Sequence, residues 1–307
     1  IPVPIEGWDG GKGYPSNYGT YSSGKFNGPA PVRKAVTGSY NVSAARTVLE
    51  RVGTEYSMNK LKELGITEPR YVETPLPSNL ALGSDPVNMI EMTAAYGTLA
   101  NKGEYRASIS ITKVLDKDGK VILNNESQLK LSVFKESTAF IMTDWLQNAV
   151  ASGTGTRAKF EGMSIAGKTG TNNDFRGVFF AGYTPYYTAT VVIAPDNHNV
   201  SLASGTTGGI YAAPLWKEFM EKIHKDLENK PFYESIPDGV KQVTVCALSG
   251  KLPNEMCKET VTEYFPENAV PTEECDMHRE FTVCRYSGKL PTPYCPEDHL
   301  VSSPIVV

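Results

Sequence analysis

Three short segments of strand-type composition follow one another between residues 163 and 194, and they constrain the fold more than any other stretch. The first ends in Lys168-Thr169-Gly170-Thr171, and a polar turn separates it from segment 177–183. The third segment, 187–194, is again rich in β-branched and aromatic residues and follows the turn signal Thr184-Pro185. This pattern predicts a three-stranded antiparallel meander whose first strand carries a cation, two hydroxyls and a glycine.

The first strand of this meander has the side chains that bind an anion. Lys168 supplies a fixed positive charge, and Thr169 and Thr171 supply hydroxyl donors. We expect Gly170 to let a ligand approach the backbone, because a side chain there would hold it away. A hairpin with an exposed lysine is the alternative, and a Lys-Thr-Gly tripeptide by itself does not exclude it.

Helical patterns on both sides of the meander predict an α+β fold, with an antiparallel sheet packed against helices. Apolar residues at helical spacing predict helices over 41–52 and 56–64, each followed by a glycine. A hairpin is expected from segments 109–115 and 121–123. Capping residues and first-turn prolines predict three more helix starts, at Asp85-Pro86, Ser137 and Pro214.

Charge and hydropathy exclude two classes of function. The 307-residue chain carries a formal net charge of −4 and has no cluster of basic residues, so a nucleic-acid partner is not expected. No apolar run reaches the ~18 residues that a membrane helix needs. The chain starts at Ile1 without a methionine or a signal peptide, so we expect any anchor or export signal to lie outside it.

A polar tripeptide, Ser39-Tyr40-Asn41, precedes the first predicted helix. Its structural interpretation is an N-cap, because Ser and Asn are favourable there. Its functional interpretation places Ser39 and Asn41 in a cleft shared with the Lys168 strand. The tripeptide and Lys168-Thr169-Gly170 then resemble two of the three motifs of the serine penicillin-recognising enzymes, S-x-N and K-T-G.

Longer segments carry this resemblance further. Five segments, taken in order along the chain, resemble class A penicillin-binding proteins, which are the bifunctional peptidoglycan synthases of the bacterial envelope. These segments are 39–53, 81–105, 153–158, 166–185 and 212–220. The resemblance implies a β-lactamase/transpeptidase-like α+β fold, with an antiparallel five-stranded sheet flanked by helices, over residues 1–235. Residues 236–307 then form a small cysteine-containing module.

The activity implied by the resemblance is that of a D,D-transpeptidase, which joins peptidoglycan stem peptides through a serine acyl-enzyme. Ser39 would relay a proton to the leaving amine, and Asn41 would hold the substrate. Lys168 would supply positive potential. Thr169 and Thr171 would bind the substrate carboxylate, with the Thr171 N–H forming half of an oxyanion hole beside Gly170.

The same resemblance implies partners and a location. The substrates would be stem peptides ending in D-Ala-D-Ala, β-lactams would acylate the same serine, and no cofactor is needed. The protein would lie at the extracytoplasmic face of the bacterial membrane. A preceding segment of the same protein would contain a glycosyltransferase domain and the membrane anchor.

The nucleophilic serine is not evident in this chain. In the family it lies in an S-x-x-K motif upstream of S-x-N. Of the four matches to that spacing, three lie downstream of Ser39 and the first is too close to it: Ser22/Lys25, Ser57/Lys60, Ser127/Lys130 and Ser132/Lys135. We therefore expect the nucleophile upstream of residue 1 and the chain alone to be incomplete and inactive. The alternatives are a D,D-carboxypeptidase or β-lactamase-like hydrolase, and a non-catalytic penicillin-recognising sensor or wall-binding module.

All five cysteines lie in the last seventy residues, four of them within an internal repeat and Cys275 outside it. Segments 245–257 and 283–295 match at an offset of 38 residues. In the oxidising setting that export implies, each repeat would close its own disulfide, Cys246–Cys257 and Cys284–Cys295. A zinc knuckle that uses Cys275 and His278 is the competing interpretation. The four histidines, at 198, 224, 278 and 299, are scattered and are expected at the surface. Since no C-x-x-C occurs either, no metal site is expected.

Overall fold

The computed structural model describes residues 4–9, 15–17, 27–67, 77–127, 130–172, 175–197 and 199–306. The chain forms two compact units. The first comprises Ile1–Phe26 and Val32–Pro237, and the second comprises Asn27–Pro31 and Asp238–Val307.

The α-helices of the first unit are short at the start of the chain and longer around the central sheet. They are α1 (Val32–Thr37), α2 (Asn41–Arg46), α3 (Thr54–Glu63), α4 (Pro77–Leu82), α5 (Met89–Ala100), α6 (Glu136–Ser152) and α7 (Ala213–Ile223). Two π-helical segments, Thr47–Val52 and Gly208–Ala212, adjoin α2 and α7, and Thr156–Ala158 forms a 3-10 turn.

Three strands form the sheet that carries the predicted anion-binding motif. They are β5 (Ala166–Thr171), β6 (Val178–Tyr183) and β7 (Thr188–Ile193), all antiparallel, in the order β5-β6-β7. The meander prediction is confirmed, and the register pairs Lys168 with Ala181 and Gly170 with Phe179. The described residues give this sheet three strands, whereas five were expected, and helices pack against it as the α+β prediction requires.

Helices pack on both faces of the sheet because the side chains of β6 alternate. Phe180 is buried against Trp216 of α7, with ring centroids 5.1 Å apart. Tyr183, on the opposite face, packs with Leu146 of α6. Its hydroxyl lies 2.8 Å from that of Thr143, and both residues are fully buried.

Two small antiparallel sheets of two strands each complete the first unit. One pairs β1 (Glu104–Arg106) with β4 (Lys130–Ser132), and the other pairs β2 (Lys113–Leu115) with β3 (Val121–Asn124). The second of these lies within the segments predicted to form a hairpin, and its turn is closed by Asp116, whose carboxylate accepts from the N–H groups of Asp118 and Lys120.

Two helix starts differ from the prediction. Helix α5 begins at Met89, and its N-cap is Asn88, whose side-chain oxygen accepts from the Ile90 N–H at 2.8 Å. Asp85 lies upstream of this helix, where it is buried, and it is not the N-cap residue. Helix α6 begins at Glu136, so Ser137 lies inside its first turn. Asp, Asn and Ser compete as caps over a few residues, and packing decides which of them is used.

The second unit is a structural repeat. Strands β8 (Val240–Cys246) and β9 (Thr260–Pro266) form one hairpin, and β10 (His278–Cys284) and β11 (Leu300–Val306) form another. The turn after Cys246 is closed by a bond from the Gly250 N–H to the Cys246 carbonyl, and the turn after Cys284 by the equivalent bond from Gly288. Short 3-10 turns follow at Glu267–Ala269 and Glu297–His299.

Among the residues that the structure describes, no helix combines the length and apolar character that crossing a bilayer requires.

Candidate active site

Lys168 lies at the centre of the candidate site, on β5. The two preceding residues, Ala166 and Gly167, are buried, and Lys168 itself is half-buried. Its side-chain nitrogen donates to the hydroxyl oxygen of Ser39 at 2.7 Å and to the carbonyl oxygen of Thr169 at 3.1 Å. Burial lowers the pKa of the Lys168 ammonium to about 8. The group is therefore mostly protonated at pH 7 and titrates not far above it.

Ser39 occupies the tight turn between α1 and α2, with a left-handed backbone φ of 56°. Serine is uncommon in that region, so the turn holds it there at a conformational cost. The Ser39 N–H donates to the Val36 carbonyl at 3.2 Å. Because Tyr40 is the N-cap residue of α2, the capping interpretation of Ser39 and Asn41 is wrong. The turn instead places the Ser39 hydroxyl against Lys168.

Asn41 is held by a different part of the chain. Its side-chain nitrogen donates to the Ser16 carbonyl at 2.8 Å. The next backbone N–H, of Val42, donates to the Asn17 side-chain oxygen at 3.1 Å. The segment 15–17 therefore fixes the start of α2, and the amide of Asn41 is oriented by protein contacts. Its predicted contact with substrate stays a prediction.

Thr169 and Thr171 each have a hydroxyl partner within the protein. The Thr169 hydroxyl lies 2.7 Å from that of Thr154, and the Thr171 hydroxyl accepts from the Gly208 N–H at 3.1 Å. A hydroxyl that accepts a hydrogen bond keeps its own proton for another acceptor. Thr171 therefore retains one O–H donor. In the pair of Thr154 and Thr169, the hydroxyl that accepts the hydrogen bond also retains its O–H donor.

Gly170 has a packing role that the sequence did not indicate. A Cβ at this position would lie 1.9 Å from the ring of Phe179 on the paired strand. The backbone of Gly208 is also close, since a Cβ there would lie 2.5 Å from the Gly170 carbonyl oxygen. The prediction that this glycine leaves room for a ligand therefore needs correction, because neighbouring protein atoms occupy that space.

Thr154 joins the site although no role was predicted for it. Its N–H donates to the Thr37 carbonyl at 3.3 Å, close to the turn that carries Ser39. Glycines allow this approach: a Cβ on Gly153 would lie 2.4 Å from the Thr37 oxygen, and one on Gly209 would lie 2.5 Å from the Thr154 oxygen. The run of alternating Gly and Thr at 153–156 is the sequence signal that identifies this loop.

A cavity of about 340 Å³ is lined by residues of the turn around Ser39 and by the loop that carries Thr154, namely Lys34, Thr37, Gly38, Tyr40, Ser152, Gly153 and Thr154. Ser39 and Lys168 are not among its lining residues.

The S-x-x-K matches do not contribute to this cluster where the structure describes them. The Ser57 hydroxyl donates to the Gly53 carbonyl, and the Lys60 ammonium bonds Glu63 and the Val133 carbonyl. Lys130 pairs with Glu104. The match at Ser22/Lys25 lies outside the described residues.

The cysteines differ from their prediction. All five are free thiols in the structure, so neither Cys246–Cys257 nor Cys284–Cys295 is bonded. Cys246 and Cys257 instead share one pocket with Cys275 and His278. Cys275 and His278 lie outside the two repeat segments, so a prediction that pairs the cysteines within each repeat leaves them out.

Comparison with family models assigns both units. A model described as the penicillin binding protein transpeptidase domain matches residues 5–221. A second, described as the C-terminal domain of penicillin-binding protein 1A, matches residues 236–280.

Curated relatives agree with these matches. Penicillin-binding protein 1A of Clostridium botulinum strain Langeland is 34% identical over 289 residues, which is 87% of this chain and 34% of that protein. The protein of the same name from Clostridium tetani strain Massachusetts is 34% identical over 270 residues, 82% of this chain and 33% of that protein. The chain thus spans about a third of the length of these relatives.

Solved structures show the same fold. Penicillin-Binding Protein 1A from Haemophilus influenzae superposes with a TM-score of 0.72 at 22% identity, covering 85% of this chain and 43% of that one. The PonA1 protein from Mycobacterium tuberculosis in complex with penicillin V superposes with a TM-score of 0.64 at 20% identity, covering 77% and 67%.

Proposed function

This chain belongs to the penicillin-binding protein transpeptidase family, and from that premise we propose that it supplies part of a peptidoglycan D,D-transpeptidase site. The observation that carries the proposal is the 2.7 Å contact between Lys168 on β5 and Ser39 in the turn before α2. These groups belong to two of the three motifs that this chemistry uses, and the fold brings them together in one polar cluster.

The proposed reaction is a two-step acyl transfer. A serine hydroxyl attacks the amide carbonyl between the two terminal D-alanines of a stem peptide, forms an ester and releases D-alanine. The proton lost by the serine goes to the leaving amine. The amine of a second stem peptide then attacks the ester, forms the cross-link and regenerates the serine.

Lys168 and Ser39 are suited to move that proton. With a pKa of about 8, the Lys168 ammonium is about 90% protonated at pH 7 and donates to the Ser39 oxygen. Ser39 thereby keeps its own proton to give to the leaving amine, and Lys168 can replace it. Lys168 also supplies positive potential for the substrate's terminal carboxylate.

The hydroxyls on β5 would bind that carboxylate. Thr171 retains its proton while it accepts from Gly208, and the pair of Thr154 and Thr169 retains one as well. The Thr171 backbone N–H would serve as one oxyanion donor and the N–H of the nucleophilic serine as the other. Asn41, fixed by Ser16, would contact the stem-peptide backbone.

The identity of the nucleophile and the setting are further parts of the proposal. We place the serine in an S-x-x-K motif upstream of residue 1, within the same protein. That protein would also contain a glycosyltransferase domain and a membrane anchor, and would work at the extracytoplasmic face of the bacterial cell membrane. β-Lactams would acylate the same serine, because they resemble the D-Ala-D-Ala terminus.

The test is labelling of the native-length protein with a fluorescent penicillin, followed by peptide mapping of the adduct. The expected adduct lies on a serine upstream of this chain, and Lys168→Ala abolishes labelling, whereas Lys222→Ala, on an exposed lysine paired with Glu218, does not. The 307-residue chain alone should remain unlabelled. A stable adduct on Ser22 or Ser57 would contradict the placement of the nucleophile.

Product analysis separates transpeptidation from the alternatives. With a stem-peptide donor and an amine acceptor, mass spectrometry should find the cross-linked product. Hydrolysed donor alone would identify a carboxypeptidase or β-lactamase-like hydrolase. Absence of both products and of label in the native-length protein would leave a non-catalytic penicillin-recognising or wall-binding module.

A further inference from the structure

Three thiols and one imidazole converge in the second unit. Cys246 ends β8 and Cys257 lies in the loop before β9. Cys275 lies just before β10, and His278 is the first residue of that strand. Their ligating atoms all lie within 4.8 Å of one another. Cys246 and Cys275 are buried, whereas Cys257 and His278 are partly exposed, so solvent reaches the cluster from one side.

The distances within the cluster match those around a tetrahedral metal ion. His278 Nδ1 lies 3.2 Å from the sulfur of Cys275, 3.4 Å from that of Cys246 and 3.5 Å from that of Cys257. With Zn–S bonds of about 2.3 Å and Zn–N bonds of about 2.0–2.1 Å, a tetrahedral site has S···N edges of about 3.6 Å. One ring nitrogen cannot form good hydrogen bonds to three sulfurs, whereas one cation can bind all four atoms.

The surrounding backbone holds the four groups in place. The side-chain nitrogen of Asn254 donates to the carbonyl oxygens of Cys275 and His278 at 2.9 and 3.0 Å. Its oxygen accepts from the Met256 N–H, next to Cys257. Asn254 therefore links the loop that carries Cys257 to the Cys275–His278 turn. Such contacts around the ligands orient them and are typical of metal sites.

We propose that Cys246, Cys257, Cys275 and His278 bind one zinc ion. Three thiolates and an imidazole form a soft ligand set, which selects zinc over magnesium or calcium. Four protein ligands complete the coordination shell, so the site is structural and not catalytic. A small unit with few buried apolar residues gains stability from such a link between its hairpins. The proposal does not depend on the transpeptidase activity.

The second repeat provides an internal control. Cys284 and Cys295 match Cys246 and Cys257 at the 38-residue offset, and their turns have equivalent backbone hydrogen bonds. Among the described residues, the cluster of four ligating atoms does not include Cys284 or Cys295. These two cysteines therefore have a similar local setting but lie outside the cluster.

The experiment measures zinc in the purified, reduced 307-residue chain by native mass spectrometry and elemental analysis. We expect one zinc per chain. Cobalt substitution should give thiolate-to-metal charge-transfer absorption and the intense d–d bands of tetrahedral cobalt. Cys257→Ser should weaken zinc binding more than about 100-fold, since the loss of an outer-shell partner alone costs 10–100-fold. Cys295→Ser should retain full occupancy.

A second pair of variants separates ligand loss from misfolding. His278→Ala should lose the metal, whereas His278→Cys keeps four ligands and should retain it. A reduced chain that binds no zinc would overturn the proposal, and a Cys246–Cys257 disulfide in the peptide map of chain purified without reductant would assign the two thiols to each other instead. A Cys295→Ser chain that loses as much zinc as Cys257→Ser would also overturn the proposal.

Discussion

The side-chain nitrogen of Lys168 lies 2.7 Å from the hydroxyl oxygen of Ser39, although 129 residues separate the two in the sequence. The contact joins the strand β5 to the turn between α1 and α2. It depends on the left-handed backbone of Ser39 and on the absence of a side chain at Gly153 and Gly209, which lets the Thr154 loop pack beside it. In the proposed function, this one contact serves both proton transfer and binding of the substrate carboxylate.

Removal of the Ser39 hydroxyl tests that contact directly. In the native-length protein we expect Ser39→Ala to slow acylation by a β-lactam by about 10²–10⁴-fold, the usual contribution of a general acid–base group. The rate is measured with a fluorescent penicillin under pseudo-first-order conditions. Ser57→Ala is the matched control, because the Ser57 hydroxyl donates to the Gly53 carbonyl at the start of its own helix, and this variant should acylate at the parental rate. Equal rates for both variants would remove Ser39 from the proposed mechanism.

The pH dependence of acylation follows from the lowered pKa of Lys168. Burial lowers that pKa from its ordinary value of 10.5 to about 8, so the ammonium is present below pH 8 and lost above it. We therefore expect the acylation rate to fall about tenfold per pH unit above pH 8. In Lys168→Arg the guanidinium stays charged, so any residual activity should not fall in this range. A parental rate that is constant up to pH 10 would show that the charge is not needed.

The lowered pKa of Lys168 also makes the free energy of unfolding depend on pH, and this dependence has the opposite direction to that of the acylation rate. Between pH 8 and 10.5 the unfolded chain keeps a proton on Lys168 that the folded chain has lost, so the free energy of unfolding should rise with pH in that window. Urea titrations of the parent and of Lys168→Met at pH 7.5 and 9.5 measure this effect. The parent should gain stability relative to the variant at the higher pH, and a loss would contradict the burial of the charged amine.

Gly170 should be intolerant of a side chain. A methyl group there would clash with the Phe179 ring, and we expect Gly170→Ala to lower the free energy of unfolding by about 1–3 kcal/mol. Gly177→Ala is the control, because its Cβ would meet only ordinary contacts at 3.6 Å or more. The double variant Gly170→Ala with Phe179→Leu should be less destabilised than the sum of the single variants. Additive effects would exclude the clash as the cause.

A buried hydroxyl pair offers a fifth test. Thr143 and Tyr183 bond each other at 2.8 Å where both are fully buried. Tyr183→Phe leaves the Thr143 hydroxyl without this partner, and we expect a loss of about 1–3 kcal/mol. Adding Thr143→Val removes the remaining polar atom and should recover part of that loss. The double-mutant cycle is measured by urea unfolding, and a zero interaction energy would contradict the bond.

Patterns that act over a few residues predicted much of this fold correctly. The meander over β5, β6 and β7 follows from alternating strand-type segments and a turn, and α7 begins next to Pro214, as first-turn proline statistics suggest. Helix starts were less certain. Asp85 and Ser137 looked like caps but are not, because neighbouring residues offered alternatives and only packing selected Asn88 and Lys135.

The cysteines show where local patterns fail. The repeat suggested that each pair closes on itself, which is reasonable when only the spacing is known. In the structure the first pair meets a third thiol and an imidazole brought in by the start of β10. Likewise His224, expected at the surface, is buried and bonds Thr184 and the Met220 carbonyl. His198 lies outside the described residues.

The sequence by itself determined the family, the fold class and the identity of the two motifs, because these depend on residue type and order. Only the tertiary structure decided which groups touch: Ser39 with Lys168, Thr154 with Thr169, and three cysteines with His278. Contacts between distant segments depend on how helices pack on the sheet and on where glycine lets backbones approach. Those distances arise from the summed packing of the whole unit, and no short stretch of residues specifies them.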